Sequence, residues 1–554
     1  MNDRNVHHSS DSFLLPSLLL CEGDDPPTMT TSIGKRILRT SAPAFILLLF
    51  VNNLGLGRYC YHNIFPVNEQ QDPSLLPPQA KGETEQHSKS IAQQFSKASD
   101  AATIDGEPLN VILLYTDDMR YDLLSGTGTQ LVQTPFLDRL AARGIKFTHS
   151  AVTTSVCWIS RATLMTGQYL ARHRSNTIRN PVFYDSWNTT WPHILQSQKD
   201  YYVGHIGKWH FSQQDRVASK FNFTRIFEFK HWLNIKGKKT HVTDHTENMA
   251  IEFLKTRPKD KPFAATVAFY PPKGISDRGL EFWHPKPESM ALYENDTIAP
   301  PFDVNGSYAR LPTFFGEQNT GRQTYYYSFG NEYRLQHNSK QIFRMITEVD
   351  QACANIVAEL EQQGVLNKTM IIFTADNGFM HGDQGMAGKW YPFEGSIRVP
   401  HIVWDPRMSP SLHGTSDPSF TLNVDLAPTI LGAAGLDTPP SMQGRDVAQL
   451  YLNASLDVCG PQNKSYFPPW RDEFYYEHPS LGGEGKIPQS SALVRKDFKL
   501  MRYNRQNVET FFNVAADPME LVNSIGNPVY SRQVDEMKRR YLELKEHVEA
   551  GGSI

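Results

Sequence analysis

The chain has 554 residues, 40% hydrophobic and 20% charged, a balance ordinary for a globular enzyme and long enough for more than one domain. With 55 basic and 58 acidic residues the net charge is −3, so no bulk field draws the protein to nucleic acid or to an anionic membrane surface, and attraction for an anionic substrate has to be local. Five cysteines (Cys21, Cys60, Cys157, Cys353, Cys459) are too few for a disulfide scaffold, and at most one bridge, Cys353 to Cys459, is expected.

In chain order, Lys35, Arg36 and Arg39 precede an apolar run from Ala42 to Val51 that Asn52 and Asn53 interrupt. The basic residues place the N-terminus in the cytosol, and an apolar core of about ten residues fits a signal-peptide h-region better than the ~20 residues of a stable membrane helix. Read from Met29 it is a signal peptide; read from Met1 it acts as a signal anchor, with residues 1–62 as tail and targeting segment. Residues 63–107 carry Pro66, Pro73, Pro77 and Pro78 among Gln, Glu, Ser and Lys, the composition of a disordered stem. Seven Asn-x-Ser/Thr sequons follow, at Asn188, Asn222, Asn295, Asn305, Asn367, Asn453 and Asn463. They are glycosylated only in a lumen, so their density leans towards a secretory route: secreted, lysosome- or vacuole-like, or Golgi-anchored.

Folded structure is expected from Asn110-Val111-Ile112-Leu113-Leu114-Tyr115, a buried parallel strand with Asp117 and Asp118 at its C-terminal end. Residues 135–146 read as a helix closing at Gly144, and residues 202–207 and 263–269 as further strands. Residues 343–363 have helical spacing that Gly364 stops, before strand 370–374 delivers Asp376 and Asn377. This alternation is α/β over residues 108–420. From 421 to 554 the character changes: a helix over 425–434, short Pro- and Gly-punctuated segments, and a charged helix over 533–550 predict a smaller α+β domain.

Asp117-Asp118 and Asp376-Asn377 supply oxygen ligands of the kind a hard divalent cation prefers, although each pair alone is as well read as a turn or cap. Cys157 alone is as well read as a buried structural thiol. The run Cys157-Trp158-Ile159-Ser160-Arg161-Ala162-Thr163-Leu164-Met165-Thr166-Gly167, however, resembles the sulfatase signature Cys-x-Pro-Ser-Arg-x-x-x-Leu-Thr-Gly, with Ile159 where the family usually has proline. Gly207-Lys208-Trp209-His210, Gly388-Lys389-Trp390 with Glu394 to Pro400, and Asp517-Pro518-Met519-Glu520-Leu521 resemble further segments of the family, in the same order.

The resemblance implies a large, mostly parallel mixed sheet sandwiched by helices, alkaline phosphatase-like, with a smaller C-terminal α+β domain. It implies a sulfuric ester hydrolase acting on a sulfated glycan, nearest to glucosamine-6-sulfatases and iduronate sulfatases. Cys157 is expected to be oxidised to formylglycine by a formylglycine-generating enzyme, and Ca²⁺, with Mg²⁺ as rival, to be held by Asp117, Asp118, Asp376, Asn377 and residue 157. Arg161 would neutralise the nucleophile, Lys208 and Lys389 would hold sulfate oxygens, and His210 would act as the base that releases sulfate. The family's usual acid histidine is replaced in Tyr270-Pro271-Pro272-Lys273, leaving Lys273 or His284 to protonate the departing alcohol. Gln384 also stands where relatives carry histidine. Two alternatives remain open: a phosphoester or phosphonate hydrolase of the same superfamily, and a non-catalytic glycan-binding homologue in which Cys157 stays a thiol. Trp187, Trp191, Trp283 and Trp390 are candidates either for stacking on sugars or for core packing.

Overall fold

The computed structural model describes residues 107–127, 131–176, 186–210, 217–227, 230–277, 280–452, 469–481 and 486–553. The apolar segment 42–51, the stem up to residue 106 and the sequons Asn453 and Asn463 lie outside them. Among the described residues no helix is long and apolar enough to cross a membrane.

Eight strands form the large sheet, labelled in chain order: β1 Asn110–Asp117, β2 Ile145–Ala151, β3 Tyr202–Gly207, β4 Phe223–Ile226, β5 Phe263–Pro272, β6 Thr369–Ala375, β7 His401–Trp404 and β8 Thr415–Leu422. Their order is β8-β2-β7-β6-β1-β5-β3-β4, parallel at every junction except those of β7, which is antiparallel to both neighbours. The sheet is therefore mixed but mostly parallel, and β1 sits at its centre.

Five helices frame the sheet and carry the argument: α1 Pro135–Arg143, α2 Cys157–Thr166, α3 Val242–Thr256, α4 Glu332–Gln362 and α5 Leu426–Ala433. Alternation along β1 explains why both faces must be covered. Ile112 and Leu114 join Leu140, Phe253 and Ile346 from α1, α3 and α4, whereas Val111, Leu113 and Tyr115 join Leu164 of α2 and Ile430 of α5. Helix α5 thus packs on the large sheet. The predicted helix over 135–146 ends earlier, because Gly144 closes α1 and Ile145 already begins β2. Helix α4 begins eleven residues before its predicted start, with Asn331 capping it by accepting from Arg334 N. Cys353, on α4, is a fully buried free thiol, so it does not form the expected bridge; Cys459 lies outside the described residues.

The second sheet is an antiparallel meander of β9 Glu473–His478, β10 Ser490–Arg495, β11 Phe498–Tyr503 and β12 Val508–Asn513. Helix α6, Ser531–Glu549, lays Val534, Met537, Tyr541, Leu544 and Val548 against it, the i, i+3, i+4 stripe expected of a half-buried helix. A buried ion triad ties this sheet to the loop after Lys389: Lys499 Nζ donates to Glu394 Oε1 and Glu520 Oε1, both at 2.6 Å. Removing Lys499 would leave the two carboxylates without the cation they share, a loss of about 3–5 kcal/mol.

Candidate active site

β1 and β6 are adjacent parallel strands that end at the same edge of the sheet, where open α/β sheets place their ligands. β1 delivers Asp117 as its last residue, Asp118 follows with a left-handed φ of 62°, and β6 is followed directly by Asp376 and Asn377. Asp117, Asp118 and Asp376 are all buried and offer oxygens within 4.8 Å of one another. Asn377 joins them, its Nδ2 donating to Asp118 Oδ1 at 2.5 Å.

Cations close around this cluster. Cys157 opens α2, and Arg161, one turn on, is fully buried: Nε donates to Asp376 Oδ2 at 2.8 Å, one terminal nitrogen to Asp117 Oδ2 at 2.9 Å and the other to Lys208 O at 2.5 Å. Lys208 Nζ donates to Asp117, Lys389 Nζ to Asp118, and Lys273 Nζ to Asp118 Oδ2 at 2.7 Å. Lys389 Nζ also stands 3.4 Å from Cys157 Sγ. His210 follows Lys208 with φ 63° and meets Trp158 edge-on, ring centroids 5.7 Å apart.

Electrostatics in this cluster follow from burial against pairing. Burial raises Asp117, yet Lys208, Arg161 and Lys389 hold it well below the carboxylate range; Lys273 and Lys389 likewise lower Asp118. Asp376 is pushed up to about 7 by burial and by the Asp117 charge, which Arg161 offsets only in part. Asp117 Oδ1 is buried and accepts no hydrogen bond among the described residues. An unused buried carboxylate oxygen and a third carboxylate that resists ionisation are what a divalent cation between the three would satisfy, so the donor set fits a metal.

Residues 109–436 match the profile of the sulfatase family, over half of the chain. The chain belongs to the sulfatase family. Residues 382–547 of this sulfatase also match the profile described as N-sulphoglucosamine sulphohydrolase, C-terminal. It is 25% identical over 500 residues to the N-acetylglucosamine-6-O-sulfatase of Bacteroides thetaiotaomicron, covering 79% of this chain and 86% of that one. It is 24% identical to the arylsulfatase of Clostridium perfringens, covering 80% and 95%. A solved complex with D-glucosamine-2-N,6-O-disulfate as substrate superposes with TM-score 0.66 at 22% identity, covering 80% of this chain and 99% of that one. The phosphonate monoester hydrolase of Silicibacter pomeroyi has TM-score 0.63 at 20% identity, covering 78% and 94%, and shows that the fold is shared beyond sulfatases. The protein is a sulfuric ester hydrolase.

The two acid candidates of this sulfatase part company. Lys273 contacts the carboxylate cluster, whereas His284 is exposed, its ring stacked on Phe282. What His284 contributes is backbone: its N–H meets His231 Nδ1 at 3.2 Å and its carbonyl meets His241 Nε2 at 3.1 Å. His231 Nε2 in turn lies 2.9 Å from Lys273 O, so this imidazole donates from Nε2, accepts at Nδ1 and pins the Lys273 strand end to the 284 loop. Burial pushes His231 down to about 3, which keeps the pin neutral. Nothing in the sequence singled out His231, since a lone histidine carries no motif.

Gln384, the other departure, is buried and uses its amide to hold the C-terminal region, Nε2 donating to Met519 O at 2.5 Å and Glu520 O at 2.9 Å. Ile159 is fully buried in an apolar cluster with Val156 and Leu170. Trp187, Trp191 and Trp283 are core residues, and Trp390 alone of the four is half-buried, beside that cluster. Asn188, Asn222, Asn295 and Asn305 are exposed and Asn367 half-buried.

Proposed function

We propose that the protein is a formylglycine-dependent sulfatase that removes sulfate from a sulfated glycan. One observation carries the reading: Cys157 Sγ stands 3.4 Å from Lys389 Nζ, on a wall of cations that face three buried carboxylates. With a metal compensating the carboxylates, Lys208, Lys389 and Lys273, which now donate to Asp117 and Asp118, would turn donors to a tetrahedral anion. The glycan draws support from relatives named for amino-sugar sulfates.

Asp117, Asp118, Asp376 and Asn377 would hold a divalent cation, Ca²⁺ by their all-oxygen set with Mg²⁺ the rival, and when bound it would polarise a sulfuryl oxygen. Formylglycine made from Cys157 by a modifying enzyme would supply, as its hydrate, the oxygen that displaces the ester oxygen from sulfur. The remaining work falls to the chain's own side chains. Lys208 and Lys389 hold the sulfate oxygens, already positioned, so that charge moves onto the leaving oxygen without reorganisation of solvent. Arg161, immobilised by its acceptors, neutralises the nucleophile. Lys273, at 17% the most exposed of the four cations, protonates the departing alcohol. His210 is kept neutral by burial and by Lys208, which push its pKa strongly down, and it takes the proton as sulfate leaves. The exposed sequons support passage through a secretory compartment, where such a modification is made.

Peptide mass spectrometry of Cys157, in protein made through a eukaryotic secretory pathway together with the modifying enzyme, tests the reading. An aldehyde is expected; an intact thiol would move the protein to the non-catalytic alternative. Parallel assays on an aryl sulfate and an aryl phosphonate ester separate the superfamily rival, with faster sulfate release expected.

A further inference from the structure

A second cavity, of about 210 Å³, opens beside the catalytic cluster, between the turn after β1, the loop before residue 303, α4 and the hairpin that precedes Lys389. It lies next to the active centre: His381 is a shared wall of this cavity and of the small recess of Asp118 and Lys273.

The cavity's charge is set by a fork. Arg120 donates from Nε to Asp122 Oδ1 at 2.5 Å and from a terminal nitrogen to Asp122 Oδ2 at 2.9 Å. It also reaches Asp383 Oδ2 at 2.8 Å and Oδ1 at 3.2 Å, while His381 N donates to Asp383 Oδ2 at 2.9 Å. The guanidinium is thus committed to two carboxylates and is not a receptor for an anionic ligand. Two carboxylates against one guanidinium leave an excess negative charge, and both acids, at 18% and 29% exposure, retain accepting lone pairs towards the cavity. At the rim stand Phe302, 61% exposed, and Met519, 48% exposed, an apolar lip of the kind on which a pyranose ring packs.

The shared His381 wall puts this cavity beside the recess of Asp118 and Lys273, on the side where a sugar adjoining a sulfated unit would extend. We propose that the cavity is the subsite for that neighbouring sugar, and that its excess carboxylate selects a neutral or amine-bearing neighbour over one carrying a carboxylate or a second sulfate. Hydroxyls or an ammonium donate to Asp122 and Asp383; an anionic substituent meets like charge that Arg120 is too engaged to offset. This rests on the sulfated-glycan reading above.

The test uses the full chain in its modified form and three substrates: 4-methylumbelliferyl sulfate, which is too small to reach the cavity, and two sulfated disaccharides matched except that the adjoining sugar is a hexose or a hexuronate. The parent is expected to favour the hexose disaccharide in kcat/KM by about tenfold or more, the scale of one close like-charge contact at the surface. Asp122→Asn, which keeps shape and removes the charge, is expected to shrink that preference several-fold. Because the preference is a ratio within one variant, general loss of activity cancels. Ala299→Trp, a bulky side chain placed on the cavity wall, is expected to lower disaccharide turnover relative to aryl sulfate turnover about tenfold. Equal kcat/KM on the two disaccharides in the parent, or a preference unmoved by Asp122→Asn, overturns the subsite while aryl sulfate turnover leaves the sulfatase reading standing. Turnover of none of the three overturns the sulfatase reading and the subsite together.

Discussion

The same tripeptide, Gly-Lys-Trp, contributes twice to the candidate active centre, and the two copies behave differently. Gly207-Lys208-Trp209 ends β3 inside the sheet; Gly388-Lys389-Trp390 ends the short hairpin Met380–His381/Ala387–Gly388. Both glycines have φ 101°, so each chain reverses to aim its lysine at the carboxylates. From there they diverge. Trp209 is buried in the core beneath the sheet, while Trp390 stays half-buried near Cys157. Burial, with Arg161 and Lys273 nearby, leaves the Lys208 ammonium with a lowered pKa, whereas at Lys389 the same burial is outweighed by Asp118, Cys157 and Asp117, and the pKa rises. A motif places a charge, but its surroundings decide how firmly that charge is held.

The largest expected effect attacks this difference directly. Lys389→Ala removes the cation that touches both Cys157 and Asp118, and kcat on an aryl sulfate should fall about 10²–10³-fold, as for loss of one preorganised donor to developing charge. Lys208→Ala should fall by a comparable factor; a variant of either within threefold of the parent would break the paired-lysine account. Chelation comes next. Stripping divalent ions should abolish most activity, with Ca²⁺ restoring more than Mg²⁺, and it should lower Tm, because three buried carboxylates then rely on Arg161 and the lysines alone. A Tm unmoved by chelation would place the metal elsewhere.

The two glycines sharpen the comparison by stability. A Cβ at Gly207 would lie 2.1 Å from Ala268 O, a backbone atom of β5 that cannot retreat; at Gly388 it would lie 2.6 Å from the Trp390 ring, which can. Gly207→Ala should therefore cost about 2–3 kcal/mol and Gly388→Ala about 1 kcal/mol, read as chemical denaturation midpoints. The smallest effect concerns a buried carboxylate that has no salt-bridge partner among the described residues. Asp350 caps α1 by accepting from Leu137 N at 2.8 Å and Phe136 N at 3.0 Å, and burial pushes it up to about 7. Since the unfolded chain ionises near about 3.9, the folded form loses stability as pH rises from about 4 to 7. Asp350→Asn has no such loss, so its Tm relative to the parent should climb between pH 5 and pH 8.

How much of this could be read from residues alone depended on whether the signal was local. The apolar runs of β1, β3, β5 and β6 were legible because a strand buried on both faces needs nothing but consecutive hydrophobic residues. The first turns of α4 were not, since Glu332-Tyr333-Arg334-Leu335-Gln336-His337 offers one buried side chain and is held by packing from outside the segment. Convergence of Asp117, Asp118, Asp376, Arg161, Lys208 and Lys389 was legible as a set through order along the chain. That Lys273 contacts the carboxylate cluster while His284 is exposed was not, because it turns on a loop anchored by His231 and His241. The purpose of Gln384 was hidden for a similar reason: its partners are backbone carbonyls of Met519 and Glu520, which have no residue code.

Helix α2 is fastened by groups synthesised long after it. Asn423 meets Ser160 Oγ at 2.8 Å and Thr153 N at 3.0 Å, Tyr476 OH meets Ser155 Oγ at 2.6 Å, and Glu477 N donates to Thr153 O at 3.0 Å. Ser155 and Tyr476 lie 321 residues apart, so at ribosomal speeds of about 5–20 residues per second the segment around Cys157 waits roughly 15–60 s for its lock. The long loop closure that makes this fold slow to finish gives the nascent chain an interval in which the Cys157 side chain, buried in the finished protein, is still open to solvent.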